Sequence, residues 1–241
     1  MKVEQKTTLN ASPKKNKENT LLNLAFNIII PALIMMKGHK YFDLSPASSL
    51  VISLFFPISY GVYDFIVRKK YNFLSILGFV SILLTGGIGL LQLPKEYIAI
   101  KEAAVPFVIG IAVLISLKTP YPLIRTILLN ENIVNTEKVR TALKDKNNVK
   151  AFDKLMLTST WMVTGSFMLS STLNYLLAAI IIKSDTGTEA FNEELGKMTI
   201  LSYPVIAVPC TIIMVIVCWR LFSGIKKLTG LELEEILHVP S

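Results

Sequence analysis

Charge is what this sequence has least of. Asp, Glu, Lys and Arg make up 17% of its 241 residues, against about 25% in a soluble globular domain. Cysteine is nearly absent too. Cys210 and Cys218 stand eight residues apart in one apolar stretch, about 12 Å of helical rise, and a disulfide needs Cα atoms within about 7 Å. That excludes a disulfide-stapled scaffold. The only two histidines, His39 and His238, are placed by the topology below on opposite sides of a membrane. No C-x-x-C, H-E-x-x-H or carboxylate cluster has ligand spacing, so no metal and no cofactor is expected. With no nucleophile–base pair either, the chain does not read as an enzyme.

Apolar residues fill the space that charge leaves, at 52% of the chain. They gather into six spans: Leu21 to Met36, Ala47 to Val67, Phe73 to Leu93, Ile98 to Leu117, Leu155 to Ile182 and Met198 to Trp219. A helix needs about 20 apolar residues to cross about 30 Å of hydrocarbon. The expectation is therefore an all-α polytopic bundle of six transmembrane helices. The polar stretch before Leu21 is long for a signal peptide's n-region, which favours a retained first helix.

Lys and Arg set the orientation, because cytoplasmic connections carry them in excess. With the N-terminus inside, only Lys37, Lys40, Lys95, Lys101, Lys183 and Lys197 of the 25 fall outside. Both termini are then cytoplasmic. The formal net charge of +8 reads as orientation and attraction to anionic lipid headgroups on the cytoplasmic side, not as nucleic-acid binding. Residues 1–20 form a basic disordered tail, 21–227 the membrane domain with a cytoplasmic loop at 118–154, and 228–241 an amphipathic cytoplasmic tail.

LLTGGIGLL invites a phosphate-loop reading, but no strand precedes it and no Lys-Ser/Thr follows. On a helix, Gly78, Ser81, Thr85 and Gly89 share one face, with Gly86 on its flank, and a small-residue stripe lets two helices approach closely in lipid. Lys101 and Glu102 fall about one turn inside the fourth span. Lys101 can snorkel outward. Glu102 has less reach and stands near Pro106, so it is the chief candidate for an intramembrane functional group. Asn23 and Asn27 share a face of the first span, and Ser166, Ser170 and Asn174 form a stripe on the fifth. Together these polar residues are candidates for a site bordered by the prolines of the first, fourth and sixth spans. Asp64 and Arg68, four apart at the cytoplasmic end of the second span, can pair.

In the cytoplasmic loop, NTEKVRTALKDK reads as a short helix capped by Asn135, with Val139, Ala142 and Leu143 as a narrow apolar stripe resting on the membrane or docking a partner. In the tail, Thr229 and Glu232 have capping-box spacing ahead of a short helix on the inner membrane face.

Several segments carry a resemblance: YGVYDFIVRKKYNFLSILGFVSILLTGGIGLL, IKEAAVPFVIGIAVLISL, GTEAFNEELGKM, LSYPVIAVP and LTGLELEEIL. Together they are similar to an uncharacterised family of bacterial six-helix inner-membrane proteins, some of them loosely labelled transporters. The region of the third and fourth spans more distantly resembles the intracellular septation protein A group. The resemblance implies a bacterial inner-membrane location and an envelope or septation setting, and it supplies no catalytic residues. Two functions are expected from different classes. One is a non-enzymatic membrane protein acting through contacts in the bilayer, with a second copy or another membrane protein as partner. The other is a small-solute or lipid transporter with a polar cavity between helices 1, 4, 5 and 6.

Overall fold

The computed structural model describes residues 25–68, 73–119, 123, 124 and 134–237. Among these the chain is helices joined by turns, with one isolated β-bridge. Helix α1 is Ile30–Phe42, entered through a single π turn at Ala25–Ile29. Helices α2, α3 and α4 are Pro46–Arg68, Phe73–Leu90 and Glu96–Ser116. The short α5 is Thr136–Asp145 and α6 is the 33-residue Val149–Ile181. Helix α7 spans 41 residues, Glu189–Thr229, and α8 is one turn, Leu233–Ile236.

Four helices, α2, α4, α6 and α7, are long and apolar enough to cross a membrane. The apolar part of α3, Ile76–Leu90, is shorter, and α1 has 13 α-helical residues. Helix ends differ from the hydropathy boundaries because backbone capping decides them. Helix α1 runs past Met36 to Phe42, where Asp43 takes a left-handed conformation and its N–H bonds the His39 carbonyl at 2.9 Å. Helix α7 begins well before Met198, because the Thr188 hydroxyl accepts from the Phe191 N–H at 3.1 Å. It ends past Trp219 at Gly230, whose φ of +69° reverses the chain. The tail of residues 1–20, Asn23, His238 and the side chains of Asp64 and Arg68 lie outside the described residues.

The long helices pack in chain order, α1 on α2, α2 on α3, α3 on α4, α4 on α6 and α6 on α7, and α7 returns to α1. The α4–α6 contact is the most extensive. Gly110 makes it close: a Cβ there would stand 3.1 Å from the Phe167 Cβ and drive into Met168. A π turn at Tyr203–Ala207 divides α7. The part before it packs mainly on α1, where a Cβ at Gly196 would lie 2.8 Å from the Ala32 carbonyl oxygen, and the part after it packs on α6.

Short connections gather at one end of this bundle. There Asn192 donates to the Pro46 carbonyl at 2.7 Å, Thr186 to the Leu93 carbonyl at 2.7 Å, and His39 meets Glu189 at 3.0 Å. Glu194 on α7 accepts from the backbone N–H groups of Lys183 and Ser184 and from the Ser184 hydroxyl, fixing the α6–α7 turn. The opposite end carries a clasp. Val134 bridges Leu237, Lys138 pairs with Glu235 at 2.9 Å, and Asn148 donates to the Leu228 carbonyl at 2.8 Å.

The clasp turns inward two apolar stripes, one that the sequence assigned to the membrane or a partner and one that it laid on the inner membrane face. Val139 and Leu143 of α5 and Ile236 of α8 are buried with Leu221 and Ile225 of α7, forming a protein core. The capping box also moves. Thr229 is still inside α7, where its hydroxyl donates to the Ile225 carbonyl at 2.7 Å, and the box is made by Glu232 and Glu235.

Candidate functional site

Beside scattered buried hydroxyls such as Ser53, Thr160 and Ser166, polar side chains within the apolar helices meet at two places. The first is built on α4. The Lys101 ammonium donates to the Thr85 hydroxyl at 2.7 Å, to Glu102 Oε1 at 2.7 Å and to the Ser81 hydroxyl at 3.3 Å. An ammonium has three protons, and all three are engaged. The Lys101 side chain is 7% exposed and that of Glu102 23%. Burial of the two is therefore the reverse of the expectation, in which Lys101 snorkels outward. The physical reason lies on α3, where Ser81 and Thr85 present oxygens within reach of a long side chain. Burying a charge is tolerable when it is both paired and hydrogen-bonded.

This assembly divides the small-residue stripe of α3 by role. Ser81 and Thr85 face α4 and hold Lys101. A Cβ at Gly89 would lie 2.5 Å from Leu50 Cδ2 and one at Gly86 2.9 Å from Leu54 Cδ1, so these two set the approach to α2. Gly78 has no neighbour within 4 Å at its Cβ position. Lys101 and Ser81 also form the polar spot in an open apolar groove of about 420 Å³ between α3 and α4, lined by Leu77, Val80 and Val108 among others.

The second place is neutral. Ser170 and Asn174 of α6 line an open groove of about 340 Å³ together with Ser202, Tyr203, Ile206 and Cys210 of α7. Here the π turn lies over them. Pro204 and Pro209 supply no N–H, which loosens the helix locally, and Ser202 donates to the Thr199 carbonyl at 2.7 Å. The Asn174 amide nitrogen donates to the Ser170 carbonyl at 2.8 Å and faces the Ser170 hydroxyl at 3.3 Å. Among the described residues nothing donates to Asn174 Oδ1. Among the same residues nothing accepts from the Ser170 hydroxyl, and the Tyr203 hydroxyl has no partner.

The two places lie on different helix interfaces and line separate grooves. A link runs between α4 and α6, where Ser171 donates to the Ala103 carbonyl at 2.8 Å. Asn27 sits half-buried in the entry π turn of α1 and lines neither groove. Sequence reasoning missed Ser171, Ser202 and Tyr203, although Pro204 and Pro209 signalled the break that exposes the last two. Among the described residues no three His, Cys, Asp or Glu are placed to hold a metal ion. The two cysteines are free thiols. No protein-family profile, no curated protein and no solved structure matches the chain.

Proposed function

We propose that this chain is a non-enzymatic integral membrane protein that acts through contacts within the bilayer, in the bacterial envelope setting its resemblance implies. The membrane part rests on four helices long and apolar enough to span. The observation that carries the contact role is the separation of the two polar places. A solute path needs polar groups facing one continuous cavity, whereas Lys101 and Asn174 line different open grooves and the Lys101 protons are all spent inside the protein. Six crossings with both termini inside, anionic headgroups around the basic inner end, and a second copy or another membrane protein as partner complete the reading.

A transporter is the second reading, supported by the broken helix beside the neutral groove. Reconstitution separates the two. Wild-type protein and Glu102→Gln in proteoliposomes are expected to show no proton- or ion-dependent uptake across a broad solute panel. Uptake by wild type that Glu102→Gln abolishes overturns the contact role.

A further inference from the structure

The groove between α6 and α7 has a chemistry of its own. Among the described residues three of its polar groups lack a partner: an acceptor at Asn174 Oδ1, a donor at the Ser170 hydroxyl, and the Tyr203 hydroxyl, which is both. Asn174 stands seven residues before the end of α6, about 10 Å along the helix. On the membrane reading that depth is hydrocarbon, where an unsatisfied polar group costs several kcal/mol. No charged side chain lines the groove, so a phosphate or carboxylate would find no cation. Exposed Leu201 and Val205 flank it on α7, and its occupant arrives past them from the bilayer. A volume of about 340 Å³ falls in the range of small-ligand sites, about 300–1,000 Å³. A π turn in the wall fits too, since such turns recur at functional sites.

We propose that the α6–α7 groove binds the hydroxyl head of an uncharged lipid alcohol, of which diacylglycerol is the simplest. One hydroxyl donates to Asn174 Oδ1 and accepts from Ser170 or Tyr203, which answers the donor and acceptor left open, while the acyl chains stay among the exposed leucines and valines outside. A charged phospholipid head has no counterpart there. This site goes beyond the contact role, which stands or falls without it.

The test uses the full chain in phosphatidylcholine nanodiscs with a diazirine-bearing diacylglycerol, and maps adducts by peptide mass spectrometry. Adducts are expected on peptides holding Ser170 to Asn174 or Ser202 to Cys210. Unlabelled diacylglycerol should displace them and phosphatidylglycerol should not. Asn174→Leu should cut labelling about tenfold and Tyr203→Phe about threefold, as loss of one or two hydrogen bonds implies. Thermal melting of each variant checks that it is folded, and if Asn174→Leu is not, Ser170→Ala and Tyr203→Phe decide. Labelling spread evenly over the lipid-facing helices overturns the proposal. So does labelling indifferent to these variants, or displaced equally by phospholipid. The groove then holds water or ordinary acyl chains.

Discussion

The α3–α4 pair and the α6–α7 groove are both polar places in apolar helices, yet they are opposites. The first holds an ion pair and leaves no ammonium proton unspent: Glu102, Thr85 and Ser81 take all three. The second holds no charge and leaves three groups unanswered. Desolvation explains the asymmetry. An unpaired buried ion costs so much that it must be closed off inside the fold. A neutral amide or hydroxyl costs a few kcal/mol, little enough to be held open for a visitor. The more conspicuous residues are thus closed off inside the fold, and the quieter ones stand open at a groove.

That contrast can be broken at the charged side first. Lys101→Met leaves Glu102 without its cation and is expected to cost about 3–5 kcal/mol, read as a lowered melting temperature in detergent. Lys101→Met combined with Glu102→Gln should recover most of that loss, and a double variant as unstable as the single would mean the pair does more than hold α3. Thr85→Val is next, at about 1–3 kcal/mol, because it removes one oxygen while Ser81 and Glu102 remain. At the neutral side Asn174→Leu should not lower the melting temperature and should if anything raise it, since its amide bonds only within its own helix and the substitution removes an oxygen left without a donor. A loss as large as that of Lys101→Met would erase the distinction between the two places.

The smallest effect belongs to the clasp, outside both. A hydrogen bond from Lys138 holds the Glu235 carboxyl below the usual glutamate range, helped by the Glu232 N–H and the Lys138 charge. A carboxylate with a lowered folded-state pKa stabilises above its unfolded value, about 4.3, and loses that contribution as pH falls through the folded value. Glu235→Gln should lower the melting temperature slightly at neutral pH and leave it unchanged below the folded value, so that the acid limb of the stability profile flattens. Glu235 is exposed, so salt should weaken the same contribution.

The sequence makes the helical class legible through its apolar runs, and four of them appear as helices of spanning length. The polar residues are harder to read, because one-dimensional spacing says which residues share a face and not which helix that face meets. Lys101 and Glu102 point about 100° apart on any helix. Only the fold puts Ser81 and Thr85 opposite Lys101, joining a packing stripe and a charged couple that the sequence presents as separate features. The stripe on α5 shows the same limit. Val139 and Leu143 are apolar at helical spacing whether they meet lipid or protein, and the Val134–Leu237 bridge brings them to protein. At Thr229 a capping-box spacing is real, but Gly230 ends α7 one residue later and hands the box to Glu232 and Glu235.

The π turn at Tyr203–Ala207 also acts as a phase adjuster. One surplus residue in a helix turns everything after it by about 100° relative to an uninterrupted α-helix. Helix α7 meets α1 before that turn and α6 after it, and the turn sets the angle between those two faces. Forcing those residues into an uninterrupted α-helix, with every side chain unchanged, would swing Leu221 and Ile225 off the clasp core while Leu195 and Gly196 kept their places. Deleting one residue there instead removes the surplus and leaves both faces where they are. The register that the turn sets is therefore as much a specification of this bundle as the identity of any side chain in it.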